Sequence, residues 1–134
     1  MNILLLEDNF DAAKIKDFLE SQKYTVYRAK NIIEAEDLLE SDVYFDIAII
    51  DLDMDKRYLE PELLSGAEDQ YAGWIFCRHY LFKDPKPIKK IIILSALAKH
   101  FKETVSSKEV EGITIINKQD VNNLEQVCVA LKSI

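Results

Sequence analysis

Four short apolar runs punctuate the chain, at residues 3–6, 47–50, 91–94 and 113–116. Each is continuous rather than alternating; the first is one Ile followed by three Leu, and the other three are largely β-branched, with Thr114 in the last. That pattern suits strands buried on both faces of a parallel sheet. A fifth candidate at 24–28 is more polar and suits an edge position. Between the runs the spacing turns helical. Ala12, Ile15 and Leu19 follow i, i+3, i+7 spacing, and Ile32, Ala35 and Leu39 repeat it behind Asn31, with Glu34 three residues on as a capping box. Leu97, Phe101 and Val105 recur every four residues. Val121, Leu124, Val127, Cys128 and Leu131 form the clearest stripe, with Asp120 as its expected N-cap. A further helix is expected over about 71–82, stopped before Pro85. Strand and helix alternate throughout, so the chain reads as an α/β fold: a parallel sheet with helices on both faces.

One stretch breaks the rhythm. Residues 52–70 show no clean period, contain Pro61 and Gly66, and mix charge with Tyr58, Leu59, Leu63 and Leu64. A loop of that length inside a compact domain is usually functional or mobile, although a tolerated surface insertion reads the same way.

Composition narrows the class. At 134 residues the chain is expected to be one domain, and 49% hydrophobic residues are ample for a core. The longest uninterrupted apolar run, residues 127–131, falls far short of the roughly 20 needed to span a membrane. The N-terminus lacks a basic segment and meets acid after a short apolar run, so no signal peptide is read there. Seventeen basic against 24 acidic side chains leave a net charge of −7, which argues against nucleic-acid backbones and anionic membranes. Handling a cation is compatible with it. Cys77 and Cys128 belong to no Cys-x-x-Cys or Cys/His cluster and read as buried thiols, while His79 and His100 read as ordinary helix residues.

The candidate chemistry lies where the strands end. In an open α/β sheet, ligands bind at the carboxyl ends of the strands. The first strand runs into Glu7, Asp8 and Asn9, the third into Asp51 with Asp53 beyond it, the fourth into Ser95 and Ala96, and the fifth into Asn117 and Lys118. The edge strand offers nothing comparable. Each residue alone has an ordinary reading: Asp51 as a cap, Ser95 as a satisfied hydroxyl, Lys118 as a solvated strand end, Glu7 and Asp8 as charge at a helix N-terminus. Their coincidence at one edge points further. Crowded carboxylates raise one another's pKa unless a cation neutralises them. Hard oxygen donors without His or Cys favour Mg²⁺, which takes one or two carboxylates plus a phosphate oxygen. A serine hydroxyl and a lysine could hold the remaining phosphoryl oxygens, giving a phosphoryl-transfer site built on positioning and charge neutralisation.

These residues, in this order, resemble the receiver domains of two-component response regulators over essentially the whole chain. Leu-Leu-Leu-Glu7-Asp8-Asn9 resembles that family's acidic pair, and Ile-Ala-Ile-Ile-Asp51-Leu-Asp53-Met54 its phosphoacceptor segment. Ala72-Gly73-Trp74 resembles the glycine opening its third helix, Ile-Ile-Ile-Leu-Ser95-Ala96 its hydroxyl-plus-alanine signature, and Ile-Asn-Lys118 its lysine. The resemblance implies a flavodoxin-like, doubly wound, five-stranded sheet in the order 2-1-3-4-5. It implies that Asp51 accepts a phosphoryl group, and that Asp8, Asp51 and the backbone carbonyl of Asp53 ligate Mg²⁺ (or Mn²⁺), with Glu7 acting mainly through water. Ser95 would hydrogen-bond the acyl phosphate, Lys118 would pair with it and Ala96 would leave it room. The implied partners are a histidine kinase or histidine phosphotransfer protein and a downstream protein target, with a homodimer compatible and with no direct nucleic acid or membrane. Such a protein catalyses its own aspartyl phosphorylation and dephosphorylation, shifts the face of its fourth helix, fifth strand and fifth helix, and is cytoplasmic.

Three departures from that pattern stand out. Ile115 occupies the position of an aromatic switch residue. Gln119 follows the lysine in place of a cis proline, so a trans bond is expected there. The connection from Asp51 to Gly73 is long, with an insertion at about 55–70 expected to shield the site or contact a partner. With the final helix closing at Ile134, the chain reads as a stand-alone receiver. Two rival readings remain. One is a receiver fold used as a phosphorylation-independent binding module. The other is a haloacid-dehalogenase-type phosphatase using Asp51 and Asp53, which leaves Glu7 and Asp8 unexplained and lacks the later acidic motif it requires.

Overall fold

Strands β1 (Asn2–Leu6), β2 (Thr25–Ala29), β3 (Ile47–Ile50), β4 (Lys90–Ser95) and β5 (Thr114–Asn117) pair in parallel in the order β2-β1-β3-β4-β5, as the flavodoxin-like reading expects. The structure is a computed structural model describing residues 1–64, 66, 70–83 and 88–133. Leu6 lies opposite both Ala29 and Ile50, Ile50 opposite Ile93, and Ser95 opposite Asn117, so the carboxyl ends of the strands finish nearly in step. Every residue of β3 is buried, whereas in β2 only Val26 and Ala29 are buried and Tyr27 and Arg28 are half-buried, in keeping with its more polar sequence and its place at the edge.

Helices cover both faces. On one face Ile3, Leu5, Ile47, Ile49, Ile92 and Leu94 meet Ile15 and Leu19 of α1 (Asp11–Ser21) and Val127 and Leu131 of α5 (Asn123–Lys132). On the other, Leu4, Leu6, Ala48, Ile50 and Ile93 meet α2 (Ile32–Glu40), α3 (Ala72–Phe76) and α4 (Ala98–Thr104). The alternation of side chains along each strand divides the aliphatic runs between these two cores.

Local chemistry sets the helix ends. Asn31 Oδ1 accepts from the Glu34 amide at 2.9 Å, as a capping residue should. Glu34 reaches back to the amide of Lys30 rather than that of Asn31, at 2.8 Å. The helix expected at 71–82 is only partly α-helical. After Phe76 it widens into a π turn, Cys77–Leu81, and Phe82 N–H bonds the Cys77 carbonyl at 3.0 Å. The expected Asp120 cap is corrected too. Asn123 Nδ2 donates to the carbonyls of Lys118 and Asp120, both at 2.8 Å, so a turn occupies 120–123 and α5 starts only at Asn123. Val121 is consequently outside the helix and fully exposed. Cys77 is buried as expected, but Cys128 is only half-buried.

The long connection after β3 is structured where described. It forms 3-10 turns at Lys56–Tyr58 and Pro61–Leu63 and buries Leu52, Met54 and Leu59 in the core under α2 and α3. The charges of Glu60 and Glu62 act on Tyr80, and that of Glu36 on Glu60, which places this segment along the α2–α3 flank. Parts of the expected insertion, at Ser65 and 67–69, lie outside the described residues, as do Pro85 and Ile134. Among the described residues no helix is long and apolar enough to cross a membrane.

Candidate functional site

The sheet's hydrogen-bond ladder runs on past the strand ends and holds the residues just beyond them. Glu7 N–H bonds Ala29 O at 3.1 Å, Asp51 N–H bonds Leu6 O at 3.0 Å, and Lys118 N–H bonds Ser95 O at 3.0 Å. Each of these candidate residues is therefore held by backbone in register, one step beyond its strand. Glu7, Asp51 and Ser95 are the buried hydrophilic residues among those described, and all three lie at this one edge.

Four of the expected residues converge. A carboxylate oxygen from each of Glu7, Asp8 and Asp51 lies within 4.8 Å of the other two. Lys118, on the far side of the sheet, extends its Nζ to a hydrogen bond with Glu7 Oε1 and lies 3.3 Å from Asp51 Oδ2. The other Asp51 oxygen accepts from the Asp53 amide at 3.2 Å, so both oxygens of Asp51 are oriented. The Asp53 side chain is exposed and lies outside the cluster. Ser95 is fully buried, and its hydroxyl accepts from the Leu97 amide at 3.1 Å, leaving its own proton to donate. Ala96 is exposed at the mouth, Ile115 is half-buried in β5, and no cis peptide bond occurs among the described residues, including after Lys118.

The electrostatics arise from three carboxylates sharing one ammonium. Burial, then a hydrogen bond and like charge from Asp51, push Glu7 up to about 7, with Lys118 pulling the other way. Asp8 is also raised, by burial and by the Asp51 charge. Burial works against the charge on Lys118, but its contacts with Glu7 and Asp51 outweigh this and raise its pKa. The cluster is thus short of positive charge, which is the condition a hard divalent cation relieves. With only carboxylate and carbonyl oxygens on offer, the donor set fits Mg²⁺ or Mn²⁺.

These shifts would make the binding of a cation at this cluster depend on pH. In the folded, metal-free protein Glu7 keeps its proton up to about 7, against 4.5 for an ordinary glutamate. Its contribution to stability is therefore whole below the ordinary value and declines as pH rises through about 7. A cation held by the Glu7 carboxylate would require its ionised form and displace the proton. The rise in melting temperature on adding Mg²⁺ should accordingly be larger above about pH 7 than below it. A rise independent of pH would place the ion away from Glu7.

Several residues that support the site have no signature in the sequence. Arg28 of the edge strand, where the sequence offers no candidate, donates from Nε to Glu7 O at 3.1 Å and from Nη2 to Asn9 O at 3.3 Å. Only its position beside the first strand's end could have signalled it. Buried Tyr71 hydrogen-bonds His100 Nδ1 and stands 3.3 Å from Thr104 Oγ1, tying the start of α3 to α4, so His100 is more than an ordinary helix residue. Gly73, which the sequence does single out, is where α3 crosses the acceptor segment. Its amide bonds Leu52 O at 3.1 Å, and a Cβ there would lie 2.0 Å from the Asp51 carbonyl oxygen.

No protein-family model matches the chain, and no curated protein matches it in sequence. Solved structures do match it in three dimensions. The chemotaxis protein CheY4 of Vibrio cholerae superposes with a TM-score of 0.70 at 18% identity, over 99% of this chain and 97% of that one. The response regulator TrrA of Thermotoga maritima, solved in complex with Mg²⁺–BeF, gives 0.68 at 18% identity, over 98% and 96%. The non-phosphorylated HemR receiver domain of Leptospira biflexa gives 0.68 at 25% identity, over 98% and 91%. The chain therefore has the fold of CheY-like response-regulator receiver domains along nearly its whole length.

Proposed function

We propose that this chain is a phosphorelay receiver that takes a phosphoryl group onto Asp51 from a histidine kinase or histidine phosphotransfer protein and passes the signal to a protein target. The observation that carries the reading is the reach of Lys118 from β5 to Glu7 and Asp51, inside a three-carboxylate cluster on a receiver fold. Glu7, Asp8 and Asp51, with the Asp53 carbonyl as a further donor, would hold Mg²⁺, which when bound neutralises the carboxylates and the phosphoryl oxygens.

The protein's own groups do the rest. Asp53 N–H and Lys118 fix the Asp51 carboxylate, so one of its oxygens is presented for in-line attack. That oxygen forms a P–O bond as the donor's P–N bond breaks, and the bonding pair leaves with the imidazole nitrogen, which takes up a proton. Lys118 then balances the charge of the acyl phosphate. Ser95 donates its hydroxyl proton to a phosphoryl oxygen while its oxygen still accepts from the Leu97 amide. Water later attacks phosphorus, the P–O bond to Asp51 breaks with its electron pair returning to the carboxylate, and inorganic phosphate is released. The insertion at about 55–70 and the domain as a whole belong to one cytoplasmic receiver in this reading.

With Mg²⁺ and a small phosphodonor, the protein should form a phosphoprotein that is lost slowly and should not turn over phosphomonoesters. Repeated turnover of a phosphomonoester would favour the phosphatase, and Mg²⁺ binding without phosphoryl uptake would favour a binding module.

A further inference from the structure

The carboxylate cluster depends on the loop between β1 and α1, within which the Asn9 amide bonds Glu7 Oε2 at 3.4 Å and the Asp11 amide bonds Asn9 Oδ1 at 3.2 Å. Asp8 lies between β1 and α1, is exposed, has a carboxylate oxygen within 4.8 Å of oxygens of Glu7 and Asp51, and is subject to the like charges of Asp51 and Asp53. On its N-terminal side the Glu7 amide is held by Ala29 O; on its C-terminal side Asn9 O accepts from the Ala12 amide at 3.0 Å as the helix begins. The carbonyls flanking Asp8 on both sides are gripped by a single side chain, Arg28 of β2, at 3.1 Å and 3.3 Å.

We infer that Arg28 is a positioning residue for the metal-binding carboxylates: its guanidinium bridges the Glu7 and Asn9 carbonyls and so fixes the backbone from which Asp8 projects. The inference rests on the proposed cation site. A guanidinium suits this task because it is planar and carries several N–H groups in a fixed fork, so two carbonyls can be held at a set separation. A lysine at the same position would offer one mobile point of attachment and would hold one carbonyl at a time. Arg28 reaches these carbonyls from the half-buried edge strand β2, which pairs directly with β1.

Charge and positioning predict opposite outcomes. Removing a positive charge near a cation site favours the cation, so Arg28→Ala should tighten metal binding if Arg28 acts only as a charge. If it acts by positioning, binding should weaken, by about 10-fold, as for other groups that orient metal ligands. The test is Mn²⁺ affinity, read from the electron paramagnetic resonance signal of the free ion, together with the melting temperature of the metal-free protein. Arg28→Ala and Arg28→Lys should both bind Mn²⁺ about 10-fold more weakly, with melting temperatures close to wild type and with phosphorylation recovering at saturating Mg²⁺. Wild-type or tighter affinity in Arg28→Ala overturns the inference, as does full rescue by lysine, which would show that a single donor suffices and that the two-carbonyl fork is not what positions the loop. A lowered melting temperature with unchanged affinity also overturns it, leaving Arg28 a structural role alone. A wild-type protein that binds no Mn²⁺ instead overturns the cation site itself, and Arg28's role with it.

Discussion

Gly73→Ala should unseat the acceptor segment. The added methyl would stand 2.0 Å from the Asp51 carbonyl oxygen, 2.9 Å from its carbon and 3.0 Å from Ile50 Cγ2. Two of those three atoms are backbone, at the end of a strand buried along its whole length, and cannot turn aside as a side chain would. Alanine's advantage over glycine within a helix, about 1 kcal/mol, is too small to offset the clash. Overpacking of this kind costs about 1–3 kcal/mol, occasionally more, and the upper part of that range is expected here. The Gly73 amide bond to Leu52 O is strained by the same movement, so the chain on both sides of Asp51 shifts. Denaturant unfolding should show the loss of stability, and phosphoryl uptake at Asp51 should fall with it. Wild-type stability and uptake in Gly73→Ala would mean that α3 does not approach the acceptor this closely.

Lys118→Met separates two effects that a simple loss of activity would merge. The substitution leaves Glu7 and Asp51 buried beside each other with no ammonium between them. Removing one partner from a buried pair costs about 3–5 kcal/mol. The loss should fall at the lower end, because Glu7 already holds a proton up to about 7 and will hold it higher still without Lys118. The metal-free variant should therefore lose stability most steeply as pH rises through neutrality. Lys118 also competes with any cation for the same oxygens. Mg²⁺ should raise the melting temperature of Lys118→Met by more than it raises that of wild type, even as phosphoryl uptake drops. A variant that loses Mg²⁺ binding together with uptake would contradict the geometry of the shared carboxylates.

Much of this arrangement is legible in the sequence, for reasons that can be named. Strands β1, β3 and β4 are largely buried on both faces, and β5, at the other edge, keeps an aliphatic run although only Ile116 is buried, so these runs stand out without any tertiary information. Glu7, Asp8, Asp51, Ser95 and Lys118 each lie at the end of such a run, and parallel strands ending in step bring them to one edge. The features that escape it depend on contacts between distant residues. Arg28 looks like a solvated residue of a polar edge strand, and only its fork across Glu7 and Asn9 shows otherwise. Tyr71 and His100 are joined through their side chains across two helices, a contact with no periodicity. The start of α5 is misplaced because Asp120 has the composition of a cap, whereas the Asn123 side chain bonds Lys118 O and Asp120 O and closes a turn first. The π turn at Cys77–Leu81 leaves no mark in the hydrophobic spacing, since all of 71–77 is buried regardless of helix type.

The central claim is that Asp51 takes a phosphoryl group, and intact-mass measurement tests it most directly. Wild-type protein given a small phosphodonor and Mg²⁺ should gain the mass of one phosphoryl group, and both a chelator and Asp51→Asn should prevent the gain. No adduct on the wild type, or an adduct that survives Asp51→Asn, would contradict it.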